Sequence, residues 1–228
     1  MALILFVMST DLTSALERLS ELEDPAVRAA NEKRGDDHGV NLSRLRALAK
    51  SIRKDHALAV RLWDAGDTAA QLLALLVCTP RKYTVADLDS MVRSTRAPKV
   101  HDWFVNYVAK KSPHAEELRQ KWLADADQRV ASVGWALTAQ RVVKDPEGLD
   151  LDALLTRIEG EMRDAPADLQ WSMNETLAQI GIHHPALRAR AVRIGEDLQV
   201  LADYPTSPGC TSPFAPVWIA EMVRRSGE

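Results

Sequence analysis

The sequence predicts an all-α chain of stacked helix pairs, a helical solenoid. Three observations carry this. Apolar residues recur three and four apart along most of the chain, the spacing that lines one face of a helix. No stretch shows a strong strand pattern. The stretch Ala69 to Val77 is apolar almost all round, and such a helix needs neighbours on every side. Short helices, short turns and one sandwiched helix are how a solenoid begins.

Asp11 or Thr10 caps a first helix that runs to about Leu22, with Leu12, Ala15, Leu16 and Leu19 inward. Asp24-Pro25 starts the next, with proline at its first position. Gly35-Asp36-Asp37 is a turn. Asn41 caps a helix whose Leu42, Leu45, Leu48, Ala49 and Ile52 share one face and whose Arg46, Lys50, Arg53 and Lys54 share the other. Asp55 caps a helix burying Leu58, Ala59, Leu62 and Trp63, and Gly66 stops it. Asp67 caps the apolar helix Ala69 to Val77. Thr84 caps another, with Asp87 as its capping-box partner. One helix should run from Pro98 to Lys111. Pro113, Asp127, Asp150, Pro166 and Pro185 each open a further helix. Tyr204 to Pro213 is irregular, and Ala215 to Arg225 closes the chain with Val217, Trp218, Ala220 and Met222 packed inward and Ile219 as a further candidate for that face. Helix pairs recur at a spacing of about thirty to forty residues, which suits degenerate repeats.

The 228 residues are enough for one large core or one solenoid. Residues 1–10 read as a flexible leader and residues 11–228 as a single domain. The apolar opening MALILFV is too short for a membrane span or a signal peptide. It reads either as an upstream extension before Met8 or as a loosely docked leader. Cys78 and Cys210 lack metal spacing and suggest reduced thiols in a cytoplasm. No HExxH, CxxC, phosphate-binding glycine loop or GxSxG occurs, so neither a metal nor a cofactor is expected. His183-His184 should point to opposite sides of a helix end. A monomer without membrane attachment is the expected form.

The net charge of −3 is not that of a dedicated nucleic-acid binder, so any such binding must rest on a local patch. One exists. Between Pro80 and Lys111 seven cations, Arg81, Lys82, Arg93, Arg96, Lys99, Lys110 and Lys111, face three carboxylates, Asp87, Asp89 and Asp102. With Arg46, Lys50, Arg53 and Lys54 they could line one concave face and meet phosphates. The alternative is an ordinary solvated helix face.

Gly39-Val40, Leu45-Arg46, Ala49-Lys50, Asp55-His56, Leu58-Ala59, Leu62-Trp63, Gly66 and Leu72-Leu73-Ala74 stand together in a pattern that resembles the AlkD-type DNA alkylation-repair family. Those proteins are all-helical and built from HEAT-like repeats, and the active members are DNA glycosylases. The resemblance implies duplex DNA as partner, alkylated where it is a substrate, with Arg46, Lys50, Arg53, Arg93, Arg96, Lys99, Lys110 and Lys111 as its contacts.

It also implies where catalysis should sit. In the active glycosylases the stretch matching Asp102 to Ala109 reads tryptophan, three residues, aspartate, then an apolar run. That carboxylate stabilises the positive sugar as the glycosidic bond breaks, and aromatics contact the lesion's sugar without flipping the base. Here Asn106 falls at the aspartate, Asp102 at the tryptophan, and Trp103 is displaced by one. Asp102, Asn106 and Trp103 are therefore the candidate catalytic positions. Other contacts differ too. Thr68-Ala69-Ala70-Gln71 replaces a His-Glu-x-Arg-like run. An arginine expected near Ser132 is absent, with Arg129 a turn earlier. A second aromatic expected near Glu175 has only Trp171 a turn away. The reading is a divergent member that binds DNA with little or no glycosylase activity. Two alternatives stay open: an active enzyme excising cationic 3- and 7-alkylpurines through Asp102 or Glu175, and a protein-binding HEAT scaffold.

Overall fold

Thirteen α-helices, joined by short 3-10 and π-helical pieces, make up the chain in a computed structural model that describes residues 11–227. The leader expected over residues 1–10, and Thr10 as an alternative cap, lie outside the described residues. Among the described residues there is no strand, only an isolated antiparallel bridge between Glu23 and Val40. Residues 11–113 form one compact unit and residues 114–227 a second.

The first unit holds α1 (Leu12–Glu21), α2 (Pro25–Glu32), α3 (Leu42–Ile52), α4 (His56–Asp64), α5 (Thr68–Val77), α6 (Val85–Ser94) and α7 (Pro98–Trp103). Short polar caps set the starts. Asp11 accepts from the Ser14 N–H at 2.7 Å, Asn41 from Ser43 at 2.9 Å, Asp55 from Leu58 at 2.9 Å and Asp67 from Ala70 at 2.9 Å. Each satisfies an amide left over at a helix start. Thr84 and Asp87 form the expected capping box.

Helix α5 packs against α1, α3, α4 and α7, and every residue in it but Leu76 is buried. Its last carbonyls need a partner, and Lys54 supplies one. The Lys54 ammonium donates to the Leu76 carbonyl at 2.8 Å and the Cys78 carbonyl at 3.0 Å. Lys54 therefore caps a helix instead of joining the other cations of α3.

The helix expected from Pro98 to Lys111 changes type twice. It is α-helical over Pro98–Trp103, π-helical over Phe104–Val108 and 3-10 over Ala109–Lys111. The Ala109 N–H reaches the Phe104 carbonyl, five residues back. Phe104, Val105, Val108 and Ala109 are all buried along this turn.

The second unit holds α8 (Ala115–Trp122), α9 (Gln128–Lys144), α10 (Leu151–Glu161), α11 (Ala167–His183), α12 (Pro185–Leu198) and α13 (Ala215–Ser226). Here α11 is the sandwiched helix, packed on α9, α10, α12 and α13. Helices α8 and α9 approach closely because Gly134 has no side chain: a Cβ there would lie 2.5 Å from the Leu123 nitrogen. Trp122 and Trp135 are core residues. In α13 the burial differs from expectation. Val217 and Ala220 are exposed, while Pro216 and the candidate Ile219 face inward, because Ile219 and Pro216 close on Gly181 and Gly195.

Candidate nucleic-acid interface

Helix α7 begins with a proline and has no cap of its own, since Ala97 precedes it. Its start is held from elsewhere. The buried carboxylate of Asp36 accepts the Lys99 N–H at 2.8 Å. Gly35, at φ 83°, brings that turn against Pro98. Residues 99–111 are thereby fixed relative to the turn before α3.

On this segment Trp103 and Tyr107, four apart, meet edge to face at 5.3 Å. The Arg46 guanidinium of α3 lies over the Trp103 ring at 4.8 Å, and the Lys111 ammonium lies 5.2 Å from the Tyr107 ring. Cation, ring, ring and cation form one row. Such contacts are each worth about 0.5–1 kcal/mol when exposed, enough to bias side chains that are otherwise free. Trp103 is only 4% exposed, so its ring supports the row from beneath.

Asp102 and Asn106 sit beside this row, both exposed. The Asn106 amide donates to the Asp102 carbonyl at 2.9 Å and to the Asp102 carboxylate at 2.8 Å. Lys99 pairs with the other carboxylate oxygen at 3.4 Å. The carbonyl contact takes up a backbone group of Asp102 where the π-helical turn begins. The carboxylate is thus bound on both oxygens by its own helix.

The remaining predicted cations fall in three groups. Lys50 and Arg53 are exposed on α3 and make no ion pair among the described residues. Arg53 ends that helix at φ 69° and ψ −159°, a region nearly reserved for glycine, at a cost of about 1–3 kcal/mol. Arg93 pairs with Asp89 at 3.1 Å, and Arg96 donates to the Arg93 and Thr95 carbonyls at 3.0 and 3.2 Å. Lys110 is half-buried. The structure therefore brings together Arg46, Lys99, Asp102, Trp103, Asn106 and Lys111, and adds Tyr107. The spacing Trp103, Tyr107, Lys111 already carried that signal, at i, i+4 and i+8.

In the second unit Trp171 is exposed and meets Tyr204 at 5.3 Å, beside a cavity of about 320 Å³ that Cys210 and Trp218 also line. Glu175 is half-buried one turn on. His184 turns its Nε2 to the Val142 carbonyl at 3.3 Å. Among the described residues no helix is long and apolar enough to cross a membrane.

Comparison with known proteins gives weak sequence likeness and strong likeness of fold. The chain is similar to the uncharacterized protein Lin0241 of Listeria innocua, 22% identical over 166 residues, 72% of this chain and 73% of that one. It is also similar to the uncharacterized protein Lmo0209 of Listeria monocytogenes, 21% identical over 194 residues, 84% of this chain and 85% of that one. A solved structure superposes with a TM-score of 0.75 at 20% identity, over 95% of each chain. It is described as a new family of proteins related to the HEAT-like repeat DNA glycosylases with affinity for branched DNA structures. That likeness identifies the fold as a HEAT-like helical repeat. Residues 15–216 match the DNA alkylation repair enzyme family, so this chain belongs to that family.

Proposed function

We propose that the protein binds DNA through the phosphate backbone, using the cations around α3 and α7, and has little or no alkylpurine glycosylase activity. The observation that carries this reading is the state of Asp102. It is the carboxylate of the row, yet Asn106 holds one oxygen at 2.8 Å and Lys99 the other at 3.4 Å. A developing sugar cation needs uncompensated negative charge beside it. A carboxylate paired with a lysine and hydrogen-bonded by an amide supplies little. Arg46 and Lys111, held over rings, are placed as phosphate contacts, with Lys50 and Arg53 beside Arg46 on α3. The affinity for branched DNA described for the similar protein supports DNA as the ligand and junctions as the preferred form.

The test has two parts. Binding to a linear duplex and to a four-way junction is measured across a salt series. The expected outcome is junction preference and a steep loss of affinity with salt, because neutralised phosphates release counterions. Excision is measured as free base released from alkylated DNA, and none above background is expected. No binding at any salt would reject the proposal.

A second reading is favoured by the exposure of Asp102, whose side chain is 51% accessible. In it, Asp102 serves excision of a cationic alkylpurine. Strong excision abolished by Asp102→Asn would establish that reading and displace the first.

A further inference from the structure

Between α4 and α6 lies a cavity of about 580 Å³. None of Asp102, Trp103, Asn106 or Tyr107 lines it. Its charge is opposite to that of the row on α7. Asp37, Asp64 and Asp87 line it against one cation, Arg96, whose guanidinium already donates to two carbonyls. His56 adds no charge near neutral pH, because burial and then the neighbouring Lys82 lower its pKa. Phosphate has the wrong sign for this site.

Gln71 of α5 is the informative residue. It is 8% exposed, it lines the cavity, and its side-chain amide has no hydrogen-bond partner among the described residues. That amide keeps contact with solvent in the cavity, and the fully buried polar atoms without a partner beside it are His56 Nδ1 and Tyr83 Oη, so a donor-rich ligand entering here meets acceptors that the protein itself leaves unbonded. Gln71 and Asp64 both line the cavity, and each carries an acceptor oxygen. Asp64 is the last residue of α4, where the helix dipole also favours a cation. Trp63, Met91 and the exposed Val60 provide apolar wall.

Acceptors, net negative charge and an aromatic wall select a particular kind of cation. An ammonium ion is strongly hydrated and compact. A guanidinium is planar, weakly hydrated, rich in donors and stacks on rings. We propose that this cavity binds a guanidinium group on an aliphatic stem, with Gln71 and Asp64 accepting its N–H groups and Trp63 and Met91 flanking the stem. The group comes either from a small molecule or from an arginine of a polypeptide.

Calorimetric titration of the full chain with two probes tests this: agmatine, and a short peptide with a central arginine. The same peptide with citrulline, the uncharged isostere, is the control. Saturable binding of either arginine-type probe is expected, with none of the citrulline peptide. Asp64→Asn and Gln71→Leu should each weaken binding about tenfold, as for the removal of a hydrogen bond to a charged group, and leave duplex DNA binding unchanged. Tighter binding of the peptide than of agmatine identifies a polypeptide source, and the reverse a small molecule. Absence of saturation with both probes overturns the proposal. So does equal binding of the citrulline peptide, or native affinity in the folded Asp64→Asn protein, which stands as the deciding variant if Gln71→Leu does not fold.

Discussion

Asn106 holds Asp102 twice, through one amide group that reaches both the backbone carbonyl and the carboxylate. The substitution Asn106→Asp removes both donations and sets two carboxylates against each other. Like charges at that range raise the pKa of one of them. This variant is therefore expected to release no more free alkylpurine than the native protein does. A base-release assay on alkylated DNA checks it, and strong excision by Asn106→Asp would show that the amide alone silences the site.

Arg46 and Lys111 lie at the two ends of the aromatic row. Reversing both to glutamate should weaken duplex binding and lower the salt slope by about two units, one for each phosphate that is no longer neutralised. Trp103→Leu keeps the charges and removes the ring under Arg46, so it should weaken binding less and leave the slope almost unchanged. Fluorescence anisotropy across a salt series distinguishes the two effects.

Two glycines make opposite predictions. A Cβ at Gly134 would sit 2.5 Å from the Leu123 backbone, whereas one at Gly160 meets nothing within 4 Å. Gly134→Ala must force α8 and α9 apart and should cost about 1–3 kcal/mol, as overpacking does. Gly160→Ala should stabilise by about 0.4–1 kcal/mol by restricting the unfolded chain. Denaturant midpoints of the two variants should therefore move in opposite directions.

The two thiols should react at very different rates. Burial pushes the Cys78 thiol up to about 11, above a usual cysteine, so it stays protonated and enclosed. Cys210 is exposed. Mass spectrometry after brief alkylation at mildly alkaline pH should show modification at Cys210 alone, with Cys78 labelled only on unfolding.

Glu116 gives an acid-dependent contribution in the second unit. Hydrogen bonding from Arg119 lowers its pKa to about 2 from 4.5, and Arg141 of α9 stands 3.7 Å away. A depressed carboxylate stabilises the fold above its unfolded pKa and loses that contribution as pH falls from about 4.5 toward about 2. Because Glu116 is 40% exposed, solvent screens the effect, which should stay below about 1 kcal/mol. Comparing native and Glu116→Gln melting temperatures across that window checks the sign: the difference should shrink on acidification.

Local chemistry was legible where residues act on near neighbours. Asp11, Asn41, Asp55, Asp67 and the Thr84–Asp87 box cap the helices they precede. The apolar run of α5 identifies a helix with neighbours on all sides. What escaped was set by distance along the chain. The π-helical turn at Phe104–Val108 is marked by no proline or glycine of its own. Lys54 reads as one more exposed cation until α5 ends beside it. The unpartnered amide of Gln71 has no signature in sequence, because its surroundings come from α4, α6 and the turn at Asp37.

The contact from Asp36 to the Lys99 N–H joins residues 63 positions apart. It has a consequence for biosynthesis. A nascent chain emerging from the ribosome makes α3 long before α7, and α7 has no local cap to start it. Closing so long a loop is an entropic barrier that must be crossed before the contact can form. Arg46 thus waits, without its tryptophan, until the whole first unit has been translated and has closed. Truncated or partly synthesised chains carry the same charges in sequence but do not present them as a row, so the nucleic-acid binding proposed for the protein would depend on completed folding.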